Sequence, residues 1–350
     1  MSYPGKIDAV SGPLDRSEKP RSPYGRTGDS AQFRRVYDGP TYYGRNTVKP
    51  SPFDWKIATY IFVGGLAGAA EIIATLADLD GDPEYADTVR QGRYLALAGT
   101  IAGPPLLIAG LHTPSRWFNM LRIFRATSPM SIGSWILTAF GGFATVTAAA
   151  HAADDAGWRP RTRFFRKAAR LMQIPAAIAG AGMSVYTAAL LAATSTPLWA
   201  AAPRLLAARF GAAAMAAASA ALSLGARRRR RYAAAERLED FFALATLTEA
   251  LIARNANTTF REKGVDDALH MPRYRAAYGG GAELLGTAAP LGLYVLNRLS
   301  GRRSERLAWA GALAAIAGSA ILRLTIMYAG NESARRPESY LAMTQPGRSP

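Results

Sequence analysis

The stretch IGSWILTAFGGFATVTAAA at residues 132–150 contains no Asp, Glu, Lys or Arg. Two further stretches share this property: YLALAGTIAGPPLLIAGL at residues 94–111 and LMQIPAAIAGAGMSVYTAALLAA at residues 171–193. An uncharged apolar run of about 18 to 20 residues is long enough to cross a bilayer as a helix. The sequence therefore predicts an all-α fold, a polytopic integral membrane helical bundle.

Extending the same criteria outward from these stretches predicts about eight transmembrane helices. They lie at roughly 57–77, 94–111, 131–151, 171–193, 204–225, 239–254, 282–298 and 307–329. The flanking sequence is polar, which predicts an extended N-terminal tail at 1–52, a transmembrane domain at 53–330 and a C-terminal tail at 331–350. An even number of helices places both termini on one side of the membrane.

The composition excludes several kinds of chemistry. The chain has no cysteine and only three histidines, so it carries no disulfide, thiolate nucleophile or iron–sulfur cluster of its own. Bis-histidine haem ligation needs paired histidines on facing helices, whereas His112, His151 and His270 lie at or beyond the ends of apolar runs. We therefore expect no haem, no metal and no catalytic residue in this chain.

The net charge of +17 includes five consecutive arginines at 227–231. No aromatic residue is interleaved with them to stack on bases, so nucleic acid is not the expected partner. Cationic clusters beside apolar spans are typical of cytoplasmic loops. The densest clusters, 159–170 and 227–231, both fall on odd-numbered connections, which predicts an inner-membrane protein with both termini on the non-cytoplasmic side.

Small residues recur at helical spacing inside the predicted spans. Gly64 and Gly68 form a G-x-x-x-G pair, and Gly180 and Gly182 follow in a later span. Such residues allow close helix approach in lipid. A nucleotide-binding glycine loop is the competing interpretation, but no strand pattern precedes this pair.

Ionisable side chains inside a span are costly and are by default functional hypotheses. The candidates are Glu71, Glu249, Glu283 and Arg323, with Arg209 as a fifth. Because successive helices alternate in direction, Glu249, Glu283 and Arg323 all fall in the half of the membrane nearer the termini. The alternative is that Arg323 pairs with Glu249 or Glu283 only to hold helices together.

The loop HTPSRWFNMLRIFRATSPMS at 112–131 emerges on that same face and contains no acidic residue. This placement predicts one polar pocket beneath the loop. A quinone needs hydrogen-bond donors for its carbonyl oxygens and an acceptor for its protons. His112, Arg116 and Tyr60 are the expected donors and Glu249 the expected acceptor.

Glu71 lies deeper, toward the other face of the membrane. With Thr75, Asp78 and His151 it forms a candidate proton path. A structural carboxylate hydrogen-bonded to a neighbouring helix is an equal alternative.

Three segments carry a family resemblance. They are YYGRNTVKPSPFDWKIATYIFVGGLAGAAEIIATLADL at 42–79, GPPLLIAGLHTPSRWFNMLRIFRATSPMSIGSWILTAFG at 103–141 and IAGSAILRLTIMYAG at 316–330. Together they resemble the NrfD/PsrC family of polysulfide- and nitrite-reductase membrane subunits. The resemblance covers residues 42–330.

The resemblance implies an eight-helix membrane subunit that exchanges electrons between the quinone pool and a ferredoxin-like iron–sulfur subunit. That partner would serve a molybdopterin or cytochrome catalytic subunit. We expect quinone binding at His112, Arg116, Tyr60 and Glu249, proton transfer at Glu71, Glu283 and Arg323, and partner docking at Trp117, Arg122 and Arg125. One departure is that this chain has Gly110, Leu111, His112 and Thr113 where the family commonly has an acidic residue and then Gly-Arg before the proline of the second loop.

Two other functions stay open. The missing loop carboxylate favours a structural or proton-conducting subunit of a respiratory complex that binds no quinone itself. A secondary transporter would show matching broken helices in two halves. Pro104, Pro175 and Pro290 interrupt spans, but the SPMSIGSW segment has no convincing duplicate.

Overall fold

The computed structural model describes residues 48–111, 113–300 and 304–344. Helix accounts for 86% of the structure, and none of these residues forms a β-strand. The prediction of an all-α fold is confirmed. Of the predicted N-terminal tail, only residues 48–52 lie within the described ranges.

Each of the eight predicted segments corresponds to a long helix in the described part of the chain. Seven are α-helices: α1 Trp55–Asp80, α2 Ala86–Ala109, α3 Pro129–Asp155, α4 Arg159–Ala192, α5 Pro203–Arg228, α6 Tyr232–Glu262 and α8 Glu305–Ala334. α7 begins as a π-helix, Ala276–Ala288, and continues as an α-helix, Ala289–Leu299. Short helices lie between or after them, at Pro83–Tyr85, Pro114–Leu121, Pro197–Ala201, Asp267–His270, Pro272–Arg275 and Pro337–Thr344.

Five of the described helices are long and apolar enough to cross a membrane. They are α1, α3, α5, α8 and the part of α4 from Arg166 to Ala192. A sixth candidate arises if α2 and the Pro114–Leu121 helix are taken together as one bent span. The chain is a multi-pass membrane protein, whereas the count of eight spans stays a prediction.

Local signals explain where the helices begin and end. The Asp54 side chain accepts a hydrogen bond from the Lys56 amide and caps α1, which ends at Gly81 with φ of 75°. Only glycine adopts that left-handed conformation without strain. α3 begins with Pro129 in its first turn after the capping residue Ser128, which matches the preference of proline for helix starts.

α1 lies at the centre of the bundle and packs against α2, α4, α5 and α8. A Cβ atom placed on Gly68 would clash with the carbonyl oxygen of Gly180, so the α1 and α4 backbones touch. A Cβ on Gly64 would lie 2.9 Å from the methyl carbon of Met183. The predicted close approach of helices at these small residues is confirmed.

The contacts also fix the relative direction of α1 and α2 and show which ends of α1 and α8 meet. Gly92 of α2 lies against Ala74 late in α1, and Gly110 against Ile57 near its start, so α1 and α2 are antiparallel. At the other end of the chain, the Asn331 side chain accepts from the Ser51 amide at 3.0 Å and donates to the Phe53 carbonyl at 3.2 Å. We call this end of the bundle, where α1 begins and α8 ends, the terminal face, and the other end the opposite face.

The predicted C-terminal tail at 331–350 contains more structure than its polarity suggested. α8 continues to Ala334, and the Pro337–Thr344 helix packs against it with Pro337 and Ser339 buried. Apolar contacts to neighbouring helices therefore extend past the predicted end of the transmembrane domain.

Candidate functional site

Arg209 is the centre of a buried polar cluster near the terminal face. Its side chain is 1% exposed and lies on α5. Its Nη1 donates to the Tyr278 hydroxyl at 2.7 Å, and its Nη2 donates to Glu283 Oε1 at 3.1 Å. Its Nε lies 3.8 Å from Glu249 Oε1, an ion pair too long for a hydrogen bond.

Asn257 closes this cluster into a ring. The Tyr278 hydroxyl donates to Asn257 Oδ1 at 2.5 Å, and Asn257 Nδ2 donates to Glu283 Oε1 at 3.2 Å. We call Arg209, Glu249, Asn257, Tyr278 and Glu283 the Arg209 cluster. Buried charges are stable only when paired and hydrogen-bonded, and here α5, α6 and α7 each supply partners.

Glu283 connects the Arg209 cluster to the surface, because its side chain is 35% exposed whereas Arg209 is sealed. Glu283 and Tyr278 both lie on the π-helical part of α7. Long π-helices are rare, and π-type turns occur frequently at functional sites. The wider turn is visible at Thr287, whose hydroxyl donates to the Ala282 carbonyl five residues earlier at 3.3 Å.

Arg323 is buried beside this cluster but is held differently. Its Nη1 donates to the Ser319 hydroxyl and carbonyl at 2.6 and 2.8 Å, and its Nη2 donates to the Phe210 carbonyl at 2.9 Å. Its guanidinium also lies over the rings of Phe62 and Phe210, 5.9 and 5.2 Å from their centroids. The ion pair considered between Arg323 and Glu249 or Glu283 is made by Arg209 instead.

A second polar cluster lies near the opposite face and is centred on Arg93 of α2. Its Nη2 donates to Gln173 Oε1 at 2.9 Å and lies 3.2 Å from Asp78 Oδ2, while its Nη1 lies 3.3 Å from His151 Nε2. The Thr75 hydroxyl donates to the Gln173 carbonyl at 3.3 Å. We call Thr75, Asp78, Arg93, His151 and Gln173 the Arg93 cluster.

Glu71 lies one to two turns of α1 from the Arg93 cluster. It is completely buried, and neither of its carboxylate oxygens has a hydrogen-bond partner among the described residues. Arg93 and Thr147 are among its polar neighbours, but the Thr147 hydroxyl donates to the Ala144 carbonyl at 3.0 Å. The structure thus brings Glu71, Thr75, Asp78 and His151 into one region, around an arginine that the sequence analysis had not singled out.

Tyr60 lies near the start of α1 and is 1% exposed. Its hydroxyl pairs with the hydroxyl of Tyr186 from α4. A Cβ on Gly103 of α2 would lie 3.5 Å from the Tyr60 ring. Two of the residues predicted to bind quinone therefore have different partners: Tyr60 contacts Tyr186, and Glu249 pairs with Arg209.

The predicted docking and quinone-donor residues of the second loop lie at the surface. Arg116 and Trp117 are exposed on the short Pro114–Leu121 helix, and Arg122 and Arg125 are exposed after it. The short helix packs against α2 and α3. His112 lies outside the described residues.

An open groove of about 730 Å³ lies beneath this loop, between α3 and α4. Its lining is apolar throughout: Phe124, Ile132, Trp135, Ile136, Ala139, Phe143, Pro175, Ile178 and Ala179. Phe124 and Trp135 meet edge to face, with ring centroids 6.3 Å apart. The groove beneath the loop is apolar, and the polar pocket expected there stays a prediction.

Two residues of the Arg209 cluster were not predicted, both for the same reason. Asn257 and Tyr278 fall just outside the predicted spans 239–254 and 282–298, yet both lie inside longer helices, α6 and α7. Polar residues at a span end lower the local hydropathy, which shortens the predicted span. Within the described ranges, no group of three His, Asp or Glu side chains is placed to hold a metal ion.

Helices of membrane length, with buried ionisable groups near both faces, define a polytopic helical membrane protein. The particular family is given by sequence comparison: the family model described as polysulphide reductase NrfD matches residues 45–333. The chain belongs to this family, as its sequence resemblance implied. No curated protein matches the chain significantly.

Membership in the NrfD family indicates a membrane anchor subunit of a respiratory oxidoreductase. Members of this family are membrane subunits that work with other oxidoreductase subunits. The membrane-spanning helices agree with this placement.

Proposed function

We propose that this chain is the quinone-interacting anchor of a respiratory oxidoreductase, passing electrons between the quinone pool and an iron–sulfur partner subunit. The observation that carries the proposal is the Arg209 cluster, an ionisable group buried among membrane helices close to the terminal face. Such a group is costly in hydrocarbon and is therefore by default a candidate for proton or substrate chemistry.

Two residues proposed for the quinone lie toward the terminal face. α1 begins there with Tyr60 in its second turn, and Arg116 lies on the short helix of the second loop, which follows the end of α2. Tyr60, His112 and Arg116 would donate hydrogen bonds to the carbonyl oxygens of a quinone. Glu249 would accept a proton when quinol is oxidised, and the partly exposed Glu283 would pass it toward water.

The iron–sulfur cluster of this reaction belongs to the partner subunit, because the chain has no cysteine to ligate one. The exposed Trp117, Arg122 and Arg125 are proposed as its docking surface. An exposed aromatic side chain between arginines suits an acidic partner surface. A molybdopterin or cytochrome catalytic subunit would attach through this ferredoxin-like partner.

Proton transfer is proposed along α1, which lies between the two clusters. A Cβ on Gly65 would lie 3.5 Å from Arg323 Nη2, and Glu71 follows six residues later, toward the Arg93 cluster. At about 1.5 Å per residue, this is a separation of roughly 9 Å along the helix axis. We propose Glu71 and Arg323 as successive groups of one proton-transfer path.

The test is quinone-dependent turnover of the purified complex carrying His112→Gln or Glu249→Gln. Arg204→Gln is a matched control, because Arg204 is exposed at the start of α5 on the same face. We expect turnover to fall by about a hundredfold in the His112 and Glu249 variants, typical of a lost acid–base group, and to be unchanged in the control. Full turnover in both variants, with normal complex assembly, would refute the quinone assignment.

A second function is favoured by the partners that Tyr60 and Glu249 each have within the chain. Tyr60 already contacts the Tyr186 hydroxyl and Glu249 already pairs with Arg209, so two of the four proposed quinone contacts are satisfied within the chain. This arrangement suits a structural or proton-conducting subunit that binds no quinone. A photoreactive quinone analogue would label this chain under the first proposal and only a sister subunit under the second.

An inner-membrane location with both termini on the non-cytoplasmic side is also proposed. The exposed cations Arg163, Lys167, Arg228 and Arg230 lie toward the opposite face, at the start of α4 and the end of α5. Cytoplasmic loops carry an excess of Lys and Arg. The opposite face is therefore assigned to the cytoplasm.

A further inference from the structure

One stripe of α4 is basic at its beginning and aliphatic further along. α4 starts at Arg159, seven residues before the segment that meets the membrane-span criterion at Arg166. Arg163, Lys167 and Arg170 are all exposed. Their spacing of four and then three residues places them on the same side of the helix.

The acidic residues nearest in sequence to this stripe already have partners. Asp154 accepts from Arg166 at 2.8 Å, and Asp155 pairs with Arg90 and accepts from the Tyr94 hydroxyl. In the described part of the chain, no acidic side chain pairs with Arg163, Lys167 or Arg170. Three cations on one helix face are therefore unpaired by any acid of the described residues and are positioned to bind an anion.

The same face continues into the hydrocarbon with Ile174 and Ile178, which are 52% and 69% exposed. Leu171 beside them is 68% exposed. Ile178 is also part of the lining of the apolar groove between α3 and α4. Lys and Arg beside aliphatic side chains match the two chemical parts of a phospholipid, an anionic headgroup and an acyl chain.

The dimensions agree with one lipid molecule. Arg170 and Ile178 are eight residues apart, which is about 12 Å along the helix axis. An acyl chain of a membrane phospholipid spans roughly half of the bilayer core, about 15 Å. Trp158, which is 55% exposed, lies just before α4. Tryptophan is enriched at the depth of the lipid headgroups.

We propose that this face of α4 binds an anionic diacyl phospholipid of the membrane. The phosphate contacts Arg163, Lys167 and Arg170, and one acyl chain lies along Ile174 and Ile178 into the groove. This site is distinct from the residues assigned to quinone, protons and partner docking. It would attach the α3–α4 side of the bundle to the leaflet at the opposite face.

The experiment measures how strongly phosphatidylglycerol binds the purified full chain in mild detergent. The readouts are retention of lipid in native mass spectrometry and the rise in Tm when the lipid is added. The variant is Lys167→Gln/Arg170→Gln. The matched control, Arg228→Gln/Arg306→Gln, removes the same charge from two other exposed arginines toward the opposite face.

The expected result is that the Lys167/Arg170 variant binds phosphatidylglycerol about tenfold more weakly, since each cation near an anionic headgroup contributes severalfold in affinity. The control variant is expected to bind like the wild-type chain. Phosphatidylcholine and inorganic phosphate are expected to give no rise in Tm, because one lacks the net negative charge and the other lacks acyl chains.

Three outcomes would overturn the proposal. Equal weakening in both variants would show general charge attraction without a site. Undiminished binding of phosphatidylglycerol by the Lys167/Arg170 variant would show that these two residues do not form the lipid site. A rise in Tm with inorganic phosphate equal to that with phosphatidylglycerol would show an anion site that makes no use of the aliphatic stripe.

Discussion

Arg209 of α5 and Glu283 of α7, 74 residues apart in the chain, are joined by a 3.1 Å contact between Nη2 and Oε1. Through this contact and its 3.8 Å ion pair with Glu249, one arginine pairs with carboxylates from two other helices. The charges of Arg209, Glu249 and Glu283 therefore depend on one another for their burial.

Replacing Arg209 with methionine is expected to destabilise the protein by about 3 to 5 kcal/mol, because a buried charge loses its partner. The charge left without its partner would be mainly that of Glu249, whose side chain is 5% exposed. Thermal unfolding in detergent measures it, with Arg204→Met as the control at an exposed position of the same helix. If Arg209→Met and Arg204→Met had the same Tm, the cluster would contribute nothing to stability.

Gly68→Leu is expected to separate α1 from α4 and to cost about 1 to 3 kcal/mol or more, as overpacking does. The cause is the direct approach of the Gly68 and Gly180 backbones. A Cβ atom on Gly142 of α3 would have no other atom within 4 Å, so Gly142→Leu provides the control. The free energy of unfolding in a denaturing detergent titration distinguishes them; a stable Gly68→Leu variant would contradict the observed contact.

Glu71→Gln is expected to preserve or raise stability while impairing proton transfer. The carboxylate is completely buried and makes no hydrogen bond within the described residues, although Arg93 and Thr147 are near it, so a neutral amide removes the cost of burying a charge. Proton uptake by the reconstituted complex and Tm of the isolated chain are the two measurements. A loss of Tm with normal proton uptake would support the structural alternative for Glu71 instead.

Single cysteines can test the membrane topology, since the native chain has none to give background labelling. Thr127→Cys lies in the exposed loop at the terminal face, and Arg228→Cys lies at the end of α5 toward the opposite face. A membrane-impermeant thiol reagent added to whole spheroplasts is expected to label Thr127→Cys alone. Labelling of Arg228→Cys alone would reverse the orientation, and labelling of both would contradict the arrangement of the helices.

The predicted and observed helices differ most at their ends. The cores of α1, α3 and α4 were predictable because a bilayer imposes a minimum length of uncharged sequence. α6 was predicted to end at residue 254 but continues to Glu262, and this extension carries Asn257. Hydropathy does not register a helix that continues beyond the apolar core and packs there against other parts of the protein.

The candidate site was predictable in its parts but not in its pairing. Glu249 and Glu283 lie together around Arg209, with Arg323 beside them, whereas their depth in the membrane stays a prediction. Which arginine pairs with the carboxylates was not predictable, since it depends on helix rotation and lateral packing. Arg209 faces α6 and α7, whereas Arg323 faces Ser319, Phe210 and Phe62.

The amino-acid sequence alone determined that this protein is a helical membrane bundle, that it has no cysteine ligands, and which ionisable residues lie inside the predicted spans. These properties follow from local composition, because the hydrocarbon acts on each segment separately. Only the tertiary structure decided which polar groups gather in the Arg209 and Arg93 clusters, and that the groove beneath the second loop is apolar. Those outcomes depend on contacts between helices far apart in the chain, which no local pattern encodes.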